Sequence, residues 1–305
     1  MIYTLTANPC LDYYISTRQM LDIGRTNRAD SAHIRAGGKG ANVSLALKKF
    51  GYDKTLTVLV LGGRNGERIM RELCDEGLEC KAFDACGESR INVKINSNDV
   101  ETEINAKGPA ISEIANSEII SFFSKIKSDD VLVLAGSLPS EAKDDFYAKI
   151  IEATKCKNVA VDCTKGALGC ALKSGVWLVK PNIDELCEFF GEAVSWEQLP
   201  FYARRVCAMG AEYALVSAGS KGAVLACGDK VLLADAPKGR AVNSTGAGDT
   251  MLAAFVYWHN ETKGDVKSAF RYAVAAGSAK AFSEGFPEKE NVTALADRIT
   301  VEEVF

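Results

Sequence analysis

Short apolar runs rich in β-branched residues alternate along this chain with longer segments whose apolar positions recur every three or four residues. The runs Ile2–Ala7, Leu56–Leu61, Val131–Ala135, Val159–Asp162, Trp177–Lys180, Ala214–Ser217 and Ala223–Ala226 predict strands. Ala41–Phe50, Gly66–Glu76, Ser112–Lys127, Glu141–Ala153, Ile183–Phe190 and Gln198–Met209 predict helices. After Gly246 the pattern is helical, with the apolar segment Met251–Trp258 and the longest run, Asp265–Ser283. Near-continuous apolar strands joined by helices imply an α/β fold, a mostly parallel sheet with helices on both faces. No repeat, low-complexity tract or linker divides the chain, so residues 1–305 read as one domain.

Two segments break the rhythm. Apolar and polar residues alternate strictly in Arg90–Ile95, a polar turn Asn96–Asp99 follows, and Val100–Asn105 alternates again. This is the signature of a half-exposed hairpin rather than a buried parallel strand. Asp12–Ser16 and Arg28–Ile34 offer strands beside it. A small β-lid inserted into the α/β body, formed from about 12–35 and 88–107, is expected, with Arg90, Asn92 and Lys94 on one face. Periodicity leaves open whether that face meets a ligand or water.

Composition narrows the class. At 47% hydrophobic residues the 305-residue chain can bury a large core, and its net charge of −4 speaks against a nucleic-acid-binding surface. The cysteines at 10, 74, 80, 86, 156, 163, 170, 187, 207 and 227 form no C-x-x-C pair, and the histidines are His33 and His259, so no metal cage is expected. Scattered thiols suit a reducing compartment. The N-terminus lacks a signal-peptide layout, and no apolar run approaches the ~18 residues of a membrane span. The expectation is a soluble cytoplasmic protein without nucleic-acid or membrane partners.

Candidate chemistry gathers in turns. Asn243-Ser244-Thr245-Gly246-Ala247-Gly248-Asp249-Thr250 places two glycines before an acidic residue at the start of a helix. Bare backbone amides and the helix dipole suit an anion there, with Asp249 beside it as a base; helix capping is the plainer alternative. Ala36-Gly37-Gly38-Lys39-Gly40-Ala41-Asn42 is a second Gly-rich turn before a helix, with a cation in Lys39 and a donor and acceptor in Asn42. It lacks P-loop spacing, and no G-x-G-x-x-G follows the first strand, which argues against a dinucleotide-binding dehydrogenase. Lys180-Pro181-Asn182-Ile183-Asp184-Glu185 ends a strand and opens a helix. There Asn182 and Glu185 are either caps or residues that act through water on Mg²⁺. Ser217-Ala218-Gly219-Ser220-Lys221-Gly222 is a phosphate-facing turn or a plain hairpin, and Gly136-Ser137 a tight turn or a hydroxyl aimed at a ligand. Ligands of parallel sheets collect at the strand carboxyl ends, where these turns lie. Cations and sugar-binding types in the first half and phosphate-suited turns in the second point to a phosphoryl transferase with an anionic acceptor.

In this order the motifs resemble the ribokinase-like sugar kinases of the phosphofructokinase B family, from Met1 to nearly the C-terminus. Thr6–Asp12 is similar to the family's opening segment, Gly37–Val43 to its first signature and Asn243–Asp249 to its second. Arg90–Lys94, Thr102–Asn105, Lys180–Asn182 and Ala275–Ser283 resemble more narrowly the members that phosphorylate fructose 1-phosphate. The resemblance implies a ribokinase-like fold, ATP and Mg²⁺ as cofactors, and fructose 1,6-bisphosphate as product. It implies Asp249 as general base and the amides of Gly246, Ala247 and Gly248 as an anion hole. Asp12, Gly38 and Asn42 would bind sugar hydroxyls. Arg28, Lys39 and Arg90 would hold the substrate phosphate with Ser137, Lys94 being a lesser candidate. Asn182 and Glu185 would organise Mg²⁺ and its waters, and Ser217, Gly219 and Gly222 would meet the nucleotide. A homodimer through the β-lid is implied as well.

The sequence departs from the family pattern at Cys10, Ser89, Ala106-Lys107 and Ala254; Lys107, at the lid tip, bears on sugar preference. A tagatose 6-phosphate kinase or a 6-phosphofructokinase of the same family stays open, as does an inactive sugar-phosphate sensor that kept the fold.

Overall fold

The computed structural model describes every residue except Asp99 and Phe305. The chain begins β1 (Ile2–Thr6), β2 (Cys10–Thr17), β3 (Ser31–Gly37), α1 (Lys39–Lys49), β4 (Thr55–Leu61) and α2 (Gly63–Asp75). It goes on through β5 (Glu79–Cys86), β6 (Arg90–Ser97), β7 (Val100–Ile104), β8 (Ala110–Ile111), α3 (Glu113–Phe123) and β9 (Val131–Ala135). Next come α4 (Phe146–Ala153), β10 (Asn158–Asp162), α5 (Lys165–Lys173), β11 (Val176–Val179), α6 (Ile183–Phe190) and α7 (Leu199–Ala208). The last part holds β12 (Ala211–Ser217), β13 (Ala223–Cys227), β14 (Lys230–Ala234), α8 (Ala247–Glu261), α9 (Val266–Ala281), α10 (Lys289–Ala296) and β15 (Glu302–Glu303).

The large sheet has the order β15-β14-β13-β12-β11-β10-β9-β1-β4-β5-β8. From β12 to β5 every pairing is parallel; β13, β14, β15 and β8 join antiparallel at the edges. Alternate residues feed two cores, as the strand pleat requires. On β9, Leu132 and Leu134 pack with α3, α4 and α5, whereas Val133 and Ala135 pack with α1, α8 and α9. Helix α8 is buried from Asp249 to Trp258, which explains the unbroken apolar run that predicts it.

The second sheet, in the order β3-β2-β6-β7, is built from the segments expected to form the lid. β2 runs parallel to β6, so that Asp12 faces Asn92 and Tyr14 faces Lys94, and β6 turns antiparallel into β7. Strict alternation therefore gives this sheet a polar face of Asp12, Arg90, Asn92, Lys94 and Glu103. Its opposite face carries Tyr13, Ile15, Ile91, Val93, Ile95 and Ile104.

Some expectations shift. The turn expected at Asn96–Asp99 is shorter, because β6 continues through Ser97 and Asn98 takes the left-handed conformation (φ +50°); Asp99 lies outside the described residues. The helix expected from Glu141 starts at Phe146, since Glu141 itself has φ +65°. β5, β8, α5, β14 and β15 were not expected, whereas α10 falls in the stretch after Gly246 expected to be helical. α5 carries two glycines in Lys165–Lys173, which masks its pattern, and its Leu168 and Leu172 are buried only by tertiary packing.

Candidate active site

A cleft of about 1420 Å³ opens between the carboxyl edge of the large sheet and the lid. The exits of β1, β9, β10, β11 and β12 all contribute to its wall. Every residue given a site role from the sequence lines it except Arg28, which is exposed in the loop between β2 and β3 and is not brought into the cleft.

Two glycine turns shape the floor. Gly38 (φ +130°) caps α1, and a Cβ there would lie 2.6 Å from Thr6 Cγ2. A Cβ on Gly40 would lie 2.7 Å from the Leu5 carbonyl, so α1 starts hard against the end of β1. Thr6 Oγ1 secures that contact by accepting from the Ala41 amide at 2.9 Å. Asn42, one turn into α1, thereby reaches the first turn of α8 and donates to Asp249 Oδ2 at 2.7 Å. Gly246, left-handed at φ +82°, turns the chain into α8. The Ala247 amide is taken by the Ser244 carbonyl at 3.1 Å, so it is not free for an anion as the sequence suggested. The Gly246 and Gly248 amides find no acceptor among the described residues.

Asp249 is buried, and its carboxyl is pushed up to about 6. Burial is the main cause and the nearby Asp162 charge adds to it, against Lys39, the Asn42 hydrogen bond and Lys180. Such a carboxylate is ionised at neutral pH and basic enough to take a proton from a hydroxyl.

Behind it lies a charge cluster. Lys39 Nζ sits 2.8 Å from Asp162 Oδ1 and 3.1 Å from Glu185 Oε1, and Lys180 Nζ sits 3.1 Å from Asp162 Oδ2. Burial opposes the charge on Lys39, but Asp162, Glu185 and Asp249 outweigh it and raise its pKa. Burial likewise opposes ionisation of Asp162, and Lys180 and Lys39 overcome it and lower its pKa. Lys39, expected to grip a substrate phosphate, is thus committed to two carboxylates. The missing Cβ of Gly248 leaves room for Lys180, whose Nζ is 3.1 Å from where that carbon would be.

On the lid side, Arg90 donates to the Asn8 carbonyl from Nε at 3.2 Å and Nη2 at 3.0 Å, and to the Ala106 carbonyl from Nη1 at 2.9 Å. Ser137 Oγ lies 3.5 Å from Nη2. Asp12 Oδ1 accepts from Asn92 Nδ2 at 3.1 Å. The Asp12 carboxylate occupies the space a side chain on Gly37 would need. Lys94 pairs with Glu103, and that bond and charge outweigh burial to raise its pKa. At the far end, Asn182 and Glu185 form a reciprocal capping box on α6, with Asn182 Oδ1 accepting from the Glu185 amide at 2.7 Å and Glu185 Oε2 from the Asn182 amide at 2.9 Å. The capping alternative is realised, and both residues still line the cleft. Gly219 and Gly222 lie in the turn joining the antiparallel strands β12 and β13, a hairpin that also lines the cleft.

Comparison with known proteins decides the class. Residues 5–290 match the pfkB family carbohydrate kinase model. The chain belongs to this family. It is 39% identical to 1-phosphofructokinase of Bacillus subtilis (strain 168) over 304 residues, 99% of each chain. It is 36% identical to D-tagatose-1-phosphate kinase of Bacillus licheniformis over 306 residues, again 99% of each. Its structure superposes on a putative phosphofructokinase from Staphylococcus aureus with a TM-score of 0.82 and 32% identity, covering 100% of this chain and 99% of the other.

For this carbohydrate kinase the sequence gives no site role to Asp162, or to Lys180, Asn8 and Glu103 within their motifs. A signal for Asp162 was present, since a lone acidic residue ends the apolar strand β10 at the sheet's carboxyl edge. Asn8 gave none: its amide ties Lys107 O (2.9 Å), Leu138 O (3.3 Å) and Ser137 Oγ (3.4 Å), three acceptors about a hundred residues or more away.

Proposed function

We propose that this carbohydrate kinase transfers the γ-phosphoryl group of ATP to the free terminal hydroxyl of fructose 1-phosphate, giving fructose 1,6-bisphosphate and ADP. The observation that carries the reading is Asp249, a buried carboxyl with its pKa raised to about 6, set beside open amides at the start of α8 and across one cleft from the lid cations. Asp249 takes the hydroxyl proton as the oxygen attacks the γ-phosphorus, and the Gly246 and Gly248 amides stabilise the charge on the transferring group. Arg90 and Ser137 hold the phosphate already on the sugar. Asp12, Asn42 and the backbone at Gly38 receive its hydroxyls. The turn Ser217–Gly222 takes the nucleotide.

Mg²⁺ prefers oxygen ligands and keeps several waters. Among the described residues no three His, Cys, Asp or Glu side chains are grouped to hold a metal alone, so the ion would arrive on the nucleotide phosphates. Glu185 fits contact with its waters, and Asn182 fixes Glu185 through the capping box. The ion supplies charge neutralisation between the phosphates when bound.

Similarity to D-tagatose-1-phosphate kinase favours a second acceptor, tagatose 1-phosphate, a sugar with the same phosphate position. A coupled ADP-release assay comparing kcat/KM for fructose 1-phosphate, tagatose 1-phosphate, tagatose 6-phosphate and fructose 6-phosphate tests the assignment. Fructose 1-phosphate is expected to lead by about tenfold, or 1.4 kcal/mol in transition-state binding. A lead for either 6-phosphate would reject a 1-phosphate acceptor.

A homodimer through the outer lid face is part of this reading, supported by Ile91 and Ile104, which are 41% and 60% exposed on an apolar sheet face. So is a cytoplasmic location, supported by ten free cysteines and the absence, among the described residues, of any helix long and apolar enough to cross a membrane.

A further inference from the structure

Lys280, near the end of α9, is 3% exposed and does not line the cleft. Its ammonium donates to the carbonyls of Asn243 at 3.2 Å and Ser283 at 3.4 Å and lies 6.0 Å from the centre of the Phe286 ring. No carboxylate forms an ion pair with it among the described residues. Burial lowers its pKa; Glu284 pulls the other way and Arg35 adds to the lowering. An ammonium taken out of water without a counter-ion is costly, and a methionine would fill the same position on α9 at less cost. Its carbonyl partners account for its presence.

Asn243 opens the loop into the anion hole. Its amide donates to Ala281 O at 3.2 Å, as does that of Val242 at 2.7 Å, and its side-chain Oδ1 accepts from the Thr245 amide at 3.0 Å. With Lys280 on its carbonyl, Asn243 is pinned through its amide, its carbonyl and its side-chain oxygen to the end of α9 or to the turn it begins. Three residues later Gly246 takes its left-handed conformation against the Phe286 ring. The orientation of the Gly246 and Gly248 amides therefore depends on a loop anchored to the end of α9 by two backbone bonds and by one buried charge.

We propose that Lys280 is a positioning residue for phosphoryl transfer, a built-in cation that holds the Asn243 carbonyl and so keeps residues 243–246 in the shape that presents the Gly246 and Gly248 amides. Its catalytic consequence rests on the kinase reading above; its mechanical part does not. Removing the ammonium strips a donor from two half-buried carbonyls and releases the loop, while the core packing of α9 stays in place.

Lys280→Met tests both parts. Hydrogen–deuterium exchange over residues 240–250 is expected to speed up at short labelling times while the rest of the chain keeps its protection. Its kcat should fall about tenfold or more, with KM for the phosphosugar within about twofold, the pattern of a group acting in the transition state. Wild-type protection of residues 240–250, or wild-type kcat, overturns the proposal. Lys280→Ala gives the second arm, because methylammonium can enter the vacated site and restore kcat, whereas tetramethylammonium has no N–H to donate. An equal response to the two amines overturns it as well. If the wild-type enzyme turned over no phosphosugar, the kinase reading would fail instead, and the exchange comparison, which needs no substrate, would still decide the role of Lys280.

Discussion

Asn42 donates a 2.7 Å hydrogen bond to Asp249 across 207 positions of sequence, joining the first turn of α1 to the first turn of α8. One glycine-rich turn thus tunes the carboxyl that the other presents. The bond favours the ionised form, against the burial that disfavours it.

Asp249→Asn should lower kcat by about 10² or more and leave ATP affinity nearly unchanged, since the lost group is the proposed general base. Calorimetric titration with nucleotide beside steady-state kinetics checks this. Activity near wild type would remove Asp249 from the role of base.

The same substitution should stabilise the fold at neutral pH. The Asp249 carboxyl has a pKa of about 6 in the folded chain against an ordinary value of roughly 3.9 when unfolded. The folded state therefore holds the proton more tightly, and the stability tied to it is present below about pH 4 and lost as pH rises through 6. Thermal melts of the asparagine variant should exceed wild type at pH 7 to 8, with the gap closing toward about pH 4.

The pH profile follows the same group. kcat/KM should fall with unit slope below about pH 6. In Asn42→Ala the carboxylate loses a donor, so this acidic limb should move to higher pH. A limb that stayed in place would mean that Asn42 does not tune the base.

Lys39 and Arg90 separate by the kind of damage they cause. Lys39→Met leaves the buried carboxylate of Asp162 with Lys180 alone and should cost on the order of 3 kcal/mol of stability in a denaturant titration. Arg90→Ala should raise KM for the phosphosugar and leave KM for ATP unchanged. A stable Lys39→Met with only a raised phosphosugar KM would restore the phosphate-gripping role expected from the sequence.

Ile104→Asp places a charge on the outer lid face and should shift the protein from dimer to monomer in sedimentation equilibrium. A wild-type chain that sediments as a monomer would end the dimer reading.

The body of the fold was legible because its strands are continuous apolar runs and its helices carry a clear period; α6 starts and stops where the pattern says, capped by Asn182 and ended by Gly191. Elements without that signature, β5 with its mixed surface and α5 with its two glycines, were not. At the site, Gly38 and Gly246 betray themselves because glycine is the residue that most readily adopts their positive φ. What each charged residue does was not legible in the same way. Lys39 reads as a free cation beside a glycine turn, yet it is held by Asp162, which lies 123 positions away.

The sequence by itself determined the layered α/β architecture, the lid and the turns that line the cleft, because periodicity and backbone tolerance are local properties. Only the tertiary structure decided which charges neutralise one another, Lys39 and Lys180 on Asp162 and Lys94 on Glu103, and that Lys280 is left with carbonyls alone. Those choices depend on burial and on distances between segments far apart in the chain, and burial sets how strongly each charge is felt.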